Sequence, residues 1–119
     1  MKVKSYKELE VWRKGIEIVD LVYAMTKGFP RQERYGLTSQ MQRAATSIPS
    51  NVAEGFARQH PGEYRQFLYA SLGSCAELET QVVISRRRGY LVAQQADRLA
   101  EHLDHESRML MNLIKRLRA

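Results

Sequence analysis

From Tyr6 to about Thr26, apolar residues return at Leu9, Trp12, Ile16, Val19 and Tyr23, and these spacings of 3, 4, 3 and 4 place them on one side of an α-helix. Ser5 and Glu8 have the spacing of a capping box at its start. Val11, Ile18, Val22 and Met25 form a second stripe, and at about 100° per residue the two stripes together cover roughly 200° of the helix surface. A bundle helix needs an apolar face nearer ~100°. The excess predicts that Val11, Ile18, Val22 and Met25 bury against a second copy of the chain or a partner.

Gly28, Phe29 and Pro30 end this helix, because Gly suits the position after the last turn and Pro cannot continue it. A polar loop follows through Gly36. The next helix runs from about Leu37, with Met41, Ala44, Ala45, Ile48, Val52 and Phe56 on its apolar side and Pro49 in its middle. Proline removes one backbone hydrogen bond and clashes with the carbonyl four residues back, that of Ala45, which predicts a kink or a break. Ser47, Ser50 and Asn51 are placed to serve the backbone groups that Pro49 frees. Asn51 and Glu54 have the spacing of a cap and its partner, so the helix is expected to restart there before Gly55.

Arg58 to Gly62 reads as a turn. A third helix runs from Glu63 to about Arg88, with Tyr64, Phe67, Leu68, Ser71, Cys75, Leu78 and Val82 along one side. Its centre, Ala70 to Ala76, is rich in small residues and is expected to be a tight packing point around Gly73, at a helix-propensity cost of about 1 kcal/mol. Gly89 closes it. The last helix, about Val92 to Arg118, carries Ala96, Leu99, Leu103, Leu110, Ile114 and Leu117 on a stripe interrupted by Glu106 and Ser107. Four such helices joined by short turns predict an all-α, antiparallel up-down-up-down four-helix bundle kinked at Pro49, a single domain over residues 1–119.

Composition agrees with this and adds a compartment. At 44% hydrophobic with 7 Gly and 3 Pro, the chain has a core and few breakers. A chain of 119 residues buries only about two-thirds of its unfolded surface, so self-association would help it. A lone Cys75 points to a reducing cytoplasm. Lys2, Lys4 and Lys7 are followed by charged residues instead of an apolar segment, so no signal peptide is expected. The longest uninterrupted apolar run, Leu21 to Met25, is far short of the about 20 residues a membrane span needs, so no membrane partner is expected.

Catalytic chemistry is poorly supplied. His102 and His105, with Glu101 and Glu106, are the one cluster that resembles a metal site, yet a di-metal bundle needs Glu-x-x-His on two helices. Here Glu101 is followed three residues on by Asp104, which favours an ordinary exposed helix face. The sequence carries no HExxH, no GxxxxGK[ST] and no GxSxG motif. No histidine lies near Ser47 or Ser50 in the sequence to activate a hydroxyl, and Cys75 falls on the apolar side as a small packed residue. The expectation is no enzyme activity, no metal and no cofactor.

Charge is where a partner is indicated. Lys plus Arg number 19 against 13 Asp plus Glu, a formal charge of +6 spread evenly along the chain. Most of the basic residues are arginine, whose planar fork grips phosphate. Arg86, Arg87 and Arg88 end the third helix, while Lys115, Arg116 and Arg118 end the fourth, which puts the two groups at opposite ends of an up-down bundle. Basic residues in a last turn also complement the helix dipole. The two groups are the candidate contacts to RNA or DNA, expected to be directed at the backbone and weak in sequence preference. The alternative is a protein-interaction adaptor or scaffold with no nucleic-acid role.

Particular residues resemble a known family. Glu8-Leu9-Glu10-Val11-Trp12, Phe29-Pro30-Arg31-Gln32-Glu33-Arg34-Tyr35-Gly36-Leu37, Arg43-Ala44, and Ser47-Ile48-Pro49-Ser50-Asn51-Val52-Ala53-Glu54-Gly55 occur in order, followed by Glu63-Tyr64-Arg65-Gln66-Phe67-Leu68. The chain resembles the bacterial four-helix-bundle proteins first noticed as reading frames in intervening sequences of large-subunit ribosomal RNA genes. That family is similar in fold to the accessory proteins of diversity-generating retroelements, basic pentamers that bind a reverse transcriptase and nucleic acid. The resemblance implies a homopentamer without enzyme activity, with Ser47, Pro49, Ser50, Asn51, Glu54 and Gly55 as a structural motif and a reverse transcriptase among the partners to consider.

Overall fold

A computed structural model describes residues 2–118. Ser5 and Glu8 form the expected capping box: the Ser5 hydroxyl accepts from the Lys7 N–H at 3.2 Å, and the Glu8 carboxylate accepts from the Ser5 N–H at 2.9 Å. The box closes a 3₁₀ turn, Tyr6–Glu8, and the first long helix starts only beyond Leu9. The helices are α1 (Glu10–Thr26), α2 (Leu37–Ala57), α3 (Pro61–Arg87) and α4 (Ala93–Arg118). Helix α3 begins two residues earlier than periodicity indicates because Pro61 takes the first helical position, where its missing N–H costs nothing. Gly89, at φ +78°, follows its end.

Each helix packs on the two beside it in chain order, and α4 closes the ring onto α1, leaving α1/α3 and α2/α4 as diagonals. Contacts between ends give the directions. Gln42 near the start of α2 donates to Thr26 at the end of α1. Ser85, late in α3, donates to Met41, early in α2. Arg65, early in α3, donates to the Leu117 carbonyl at the end of α4. Leu21 and Met25 of α1 share a groove with Gln94 and Arg98 of α4. All neighbours are therefore antiparallel. The molecule measures 45 × 24 × 20 Å, and a helix of α4's length spans about 39 Å, so the helices lie along the long axis.

The two stripes of α1 exchange roles relative to the sequence expectation. Val11, Ile18, Val22 and Met25 sit in this chain's own core, with Ile18 and Val22 fully buried, so they are not available to a second copy. The reason is Gly15, which is buried and completes a regular repeat at 11, 15, 18, 22 and 25. An added Cβ on Gly15 would lie 3.1 Å from the Pro49 Cβ, so its absence lets α1 press directly on the proline of α2. It is the other stripe that reaches the surface: Trp12 and Val19 are half-buried, while Ile16 and Tyr23 are 37% and 44% exposed.

Helix α2 continues through Pro49 as a single element, with no restart at Asn51 and with Glu54 exposed. Ser47 donates to the Ala44 carbonyl at 2.9 Å, Ser50 to that of Thr46 at 2.8 Å and Asn51 to that of Ser47 at 2.8 Å. These hydroxyl and amide bonds tie down carbonyls around Pro49, but not that of Ala45, the one expected to meet the ring. Ser47 also reaches Ser74 of α3, and Ser71 donates to the Ile48 carbonyl at 2.9 Å, so the small centre of α3 does face α2. The closest approach is nevertheless not at Gly73, which is exposed and where an added Cβ would meet nothing within 4 Å. It is at Gly55, where an added Cβ would lie 2.8 Å from the Phe67 Cβ and 3.1 Å from the Tyr64 carbonyl.

Candidate nucleic-acid interface

The loop between α1 and α2 and the connection between α3 and α4 meet at one end of the bundle. Tyr90 joins them: its hydroxyl donates to Glu33 Oε2 at 3.0 Å, and its ring packs 5.3 Å from that of Phe29. Glu33 Oε1 accepts from the Leu37 N–H at 3.2 Å, capping the start of α2. One carboxylate thus holds the loop to both neighbours. The bond from Tyr90 to Glu33, with partial burial and the nearby charge adding to it, raises the Tyr90 pKa above its ordinary value.

This junction gathers charge that is scattered in the sequence. Lys27, Arg31 and Arg34 come from the first loop, and Arg86, Arg87 and Arg88 from the end of α3, all exposed. Against these six, the stretches 27–36 and 86–92 contain a single acid, Glu33. Arg34 holds its guanidinium 5.6 Å from the centre of the Tyr35 ring, and Tyr35 is 87% exposed. Arg87 and Arg88, with Ile84, border a surface hollow of about 350 Å³. Sequence reasoning finds Arg86, Arg87 and Arg88 but misses Lys27, Arg31 and Arg34, whose only signal is their place in a short loop at a helix end.

Lys115, Arg116 and Arg118 lie at the far end, as the antiparallel order requires. Arg118 donates to the Tyr69 hydroxyl at 2.9 Å. Lys115 and Arg116 border an open groove of about 710 Å³ together with Glu8 and Glu10 of the N-terminal turn and α1. Two acids thus stand in the same groove as this basic group. The two basic groups do not join.

The remaining candidates for chemistry do not form a common cluster among the described residues. Glu101 and His105 are exposed, and His102 turns its Nδ1 toward Glu17 at 3.6 Å, whereas Glu106 is fully buried, so these four side chains do not converge. Among the described residues no three His, Cys, Asp or Glu side chains are grouped to hold a metal ion. Burial, aided by the Lys14 charge, lowers the His102 pKa below its usual value. Glu106 corrects the expectation of an exposed face: it takes the core position between Leu103 and Leu110, and neither of its carboxyl oxygens has a hydrogen-bond partner in the protein. Desolvation pushes its pKa up to about 8 against the opposing effect of Lys14, so the carboxyl is largely protonated at neutral pH. Burial also pushes the Cys75 thiol up to about 12, outweighing a bond from Ser107, which leaves it a poor nucleophile.

No described helix is long and apolar enough to cross a membrane. A crystal structure of a protein of unknown function from the S23 ribosomal protein family of Bacteroides thetaiotaomicron is similar over 88% of this chain and 98% of that one, with 22% identity and a TM-score of 0.82. That likeness extends the bundle architecture to a protein of very different sequence. No curated protein matches the sequence. The profile of the 23S rRNA-intervening sequence proteins matches residues 7–112, from the capped N-terminal turn to the last turns of α4, and the chain belongs to that family.

Proposed function

We propose that the protein is a non-enzymatic, homo-oligomeric module of the cytoplasm that binds RNA through the basic end of its bundle, gripping phosphates without strong sequence preference. The observation that carries this reading is the placement of exposed Lys27, Arg31, Arg34, Arg86, Arg87 and Arg88 at one end of the bundle, in two segments whose one acid, Glu33, is already committed to internal hydrogen bonds. Backbone-directed binding needs charge density and guanidinium forks, both present there, and no base-reading helix. The ribosomal RNA context of the family name makes RNA the ligand to test before DNA.

Self-association is supported by the outer flank of α1. Trp12, Ile16, Val19 and Tyr23 form an apolar strip that this chain's own core covers only in part, with Trp12 and Val19 half-buried and Ile16 and Tyr23 exposed. A pentamer built on that strip would repeat the basic end five times and raise the local field.

Titration of labelled RNA and DNA at two salt concentrations tests the binding. Affinity should fall steeply as salt rises, because each neutralised phosphate releases counterions. Absence of binding even at low salt, with a protein partner that co-purifies through nuclease treatment, would favour the adaptor reading instead. Mass photometry should find a species several times 13.8 kDa, and Ile16→Glu should shift it toward the monomer.

A further inference from the structure

Tyr35 has no structural role that accounts for its position. At 87% it is the most exposed large apolar or aromatic side chain among the described residues. Tyr69, at 41%, has its hydroxyl engaged by Arg118, and Phe29 and Tyr90 pack on each other. The Arg34 guanidinium stands over the Tyr35 ring, 5.6 Å from its centre, and the rest of the side chain is open to solvent.

The ring is displayed from a fixed turn. Arg34 N–H bonds to the Arg31 carbonyl at 3.1 Å and Gly36 N–H to that of Glu33 at 3.0 Å, so Tyr35 is bracketed by backbone bonds. Glu33 then anchors the turn to α2 and to Tyr90. An exposed aromatic ring on a backbone-bonded turn, beside Arg34 and at the same end of the bundle as five further basic side chains, combines the two elements by which proteins hold unpaired nucleotides: cations for the backbone and a π-surface for a base. A continuous duplex has its base faces stacked internally and offers nothing to such a ring, whereas a loop, bulge or single strand does.

We propose that Tyr35 is a base-stacking platform, and that the basic end prefers RNA with unpaired nucleotides over uninterrupted duplex. This rests on the reading of that end as an RNA surface and adds the class of RNA it takes. Arg34 polarises the ring from one side and leaves the other face open to a base.

The test compares an unpaired RNA 12-mer with a blunt 12-base-pair RNA duplex, by fluorescence anisotropy at low and moderate salt. The proteins are the wild type, Tyr35→Phe and Tyr35→Ala, with helical circular dichroism to check folding. The wild type should bind the unpaired strand more tightly. Tyr35→Ala should weaken that binding roughly fivefold to a hundredfold, the range expected for losing one stacked base. It should leave duplex affinity and the salt slope essentially unchanged, and Tyr35→Phe should restore the loss. Equal weakening on both RNAs, or none on the unpaired strand, overturns the stacking role while leaving the basic surface in place. If the wild type binds neither RNA at low salt, the RNA reading of that end falls and the platform falls with it.

Discussion

Each end of the bundle receives a helix that finishes with three basic side chains in its last turn or at its cap, yet the folded chain treats the two differently. At the Lys115, Arg116 and Arg118 end, Glu8 and Glu10 line the same groove, Arg118 is bonded to Tyr69, and nearby Arg65 is bonded to the Leu117 carbonyl. At the Arg86, Arg87 and Arg88 end, a second basic group arrives from the loop after α1, and the one acid present is occupied by Tyr90 and the Leu37 N–H. Helix-dipole complementarity explains a basic last turn at either end. It does not explain the difference in acids: the stretches 27–36 and 86–92 hold only Glu33, whereas Glu8 and Glu10 line the groove of Lys115 and Arg116, where the N-terminal Lys4 and Lys7 also lie. A count of charges along the chain treats the two ends alike; the acids that accompany each basic group make the difference.

Substituting each triplet in turn would break or establish this comparison, and it carries the largest expected effect. Arg86→Ala, Arg87→Ala and Arg88→Ala together should lower RNA affinity by roughly tenfold or more near physiological salt. They should also reduce the salt slope by about 2 to 3, one contact per lost arginine. The same treatment of Lys115, Arg116 and Arg118 should change affinity by less than about threefold. Equal losses from both triplets would mean that the two ends contribute alike.

The helices are legible in the sequence because their period is regular, and the hidden parts are those where that period is kept by residues that are not apolar. Gly15 completes the inner stripe of α1, and without counting it the wrong stripe turns inward. Glu106 falls three residues after Leu103 and four before Leu110, a core spacing that its charged residue type disguises. Size alone points to Gly73 as the close approach, but it lies on the outer side of α3, whereas Gly55 lies where α3 starts. The basic end needs more than pattern. Phe29 meets Tyr90 across 61 residues of chain, and no local period announces such a pairing.

A weakening of the whole bundle should affect both ends equally, and Glu106 provides a way to impose one through pH. Its pKa rises from the usual 4.5 to about 8 on folding. The stability it confers is therefore complete below about pH 4.5 and is lost progressively as pH rises through 8, by an amount on the order of a few kcal/mol. His102 acts oppositely: its lowered pKa adds stability as pH rises through its ordinary value of 6.5. Urea midpoints of the wild type should fall between pH 7 and pH 9, and Glu106→Gln should remove most of that fall. RNA affinity of the folded protein should not follow the same curve, since Glu106 lies in the core and not at the basic end. A wild-type midpoint that is flat over this range would contradict a buried carboxyl that ionises at a cost.

The smallest expected effect separates charge from scaffolding at the basic end itself. Glu33→Gln removes the one acid of the stretches 27–36 and 86–92 but keeps a side chain whose oxygen can still accept from the Leu37 N–H and whose amide N–H can donate to the Tyr90 hydroxyl. If Glu33 acted mainly as a charge, RNA affinity would rise, because the six basic side chains would lose their one internal counterion. If it acts mainly as the clamp that joins the two segments, the weaker neutral hydrogen bonds should loosen the loop, and affinity should fall slightly, by about twofold to threefold. The hydrogen-bond geometry favours the clamp, since both carboxylate oxygens are committed to internal donors. Tyr90 reports on it independently: the bond to Glu33 is the main cause of its raised pKa, so an ultraviolet titration of Glu33→Gln should find that phenol moving back toward 10. A shifted phenol with undiminished RNA affinity would show that the clamp is made but that binding does not depend on it, and the contrast between the ends would then rest on charge alone.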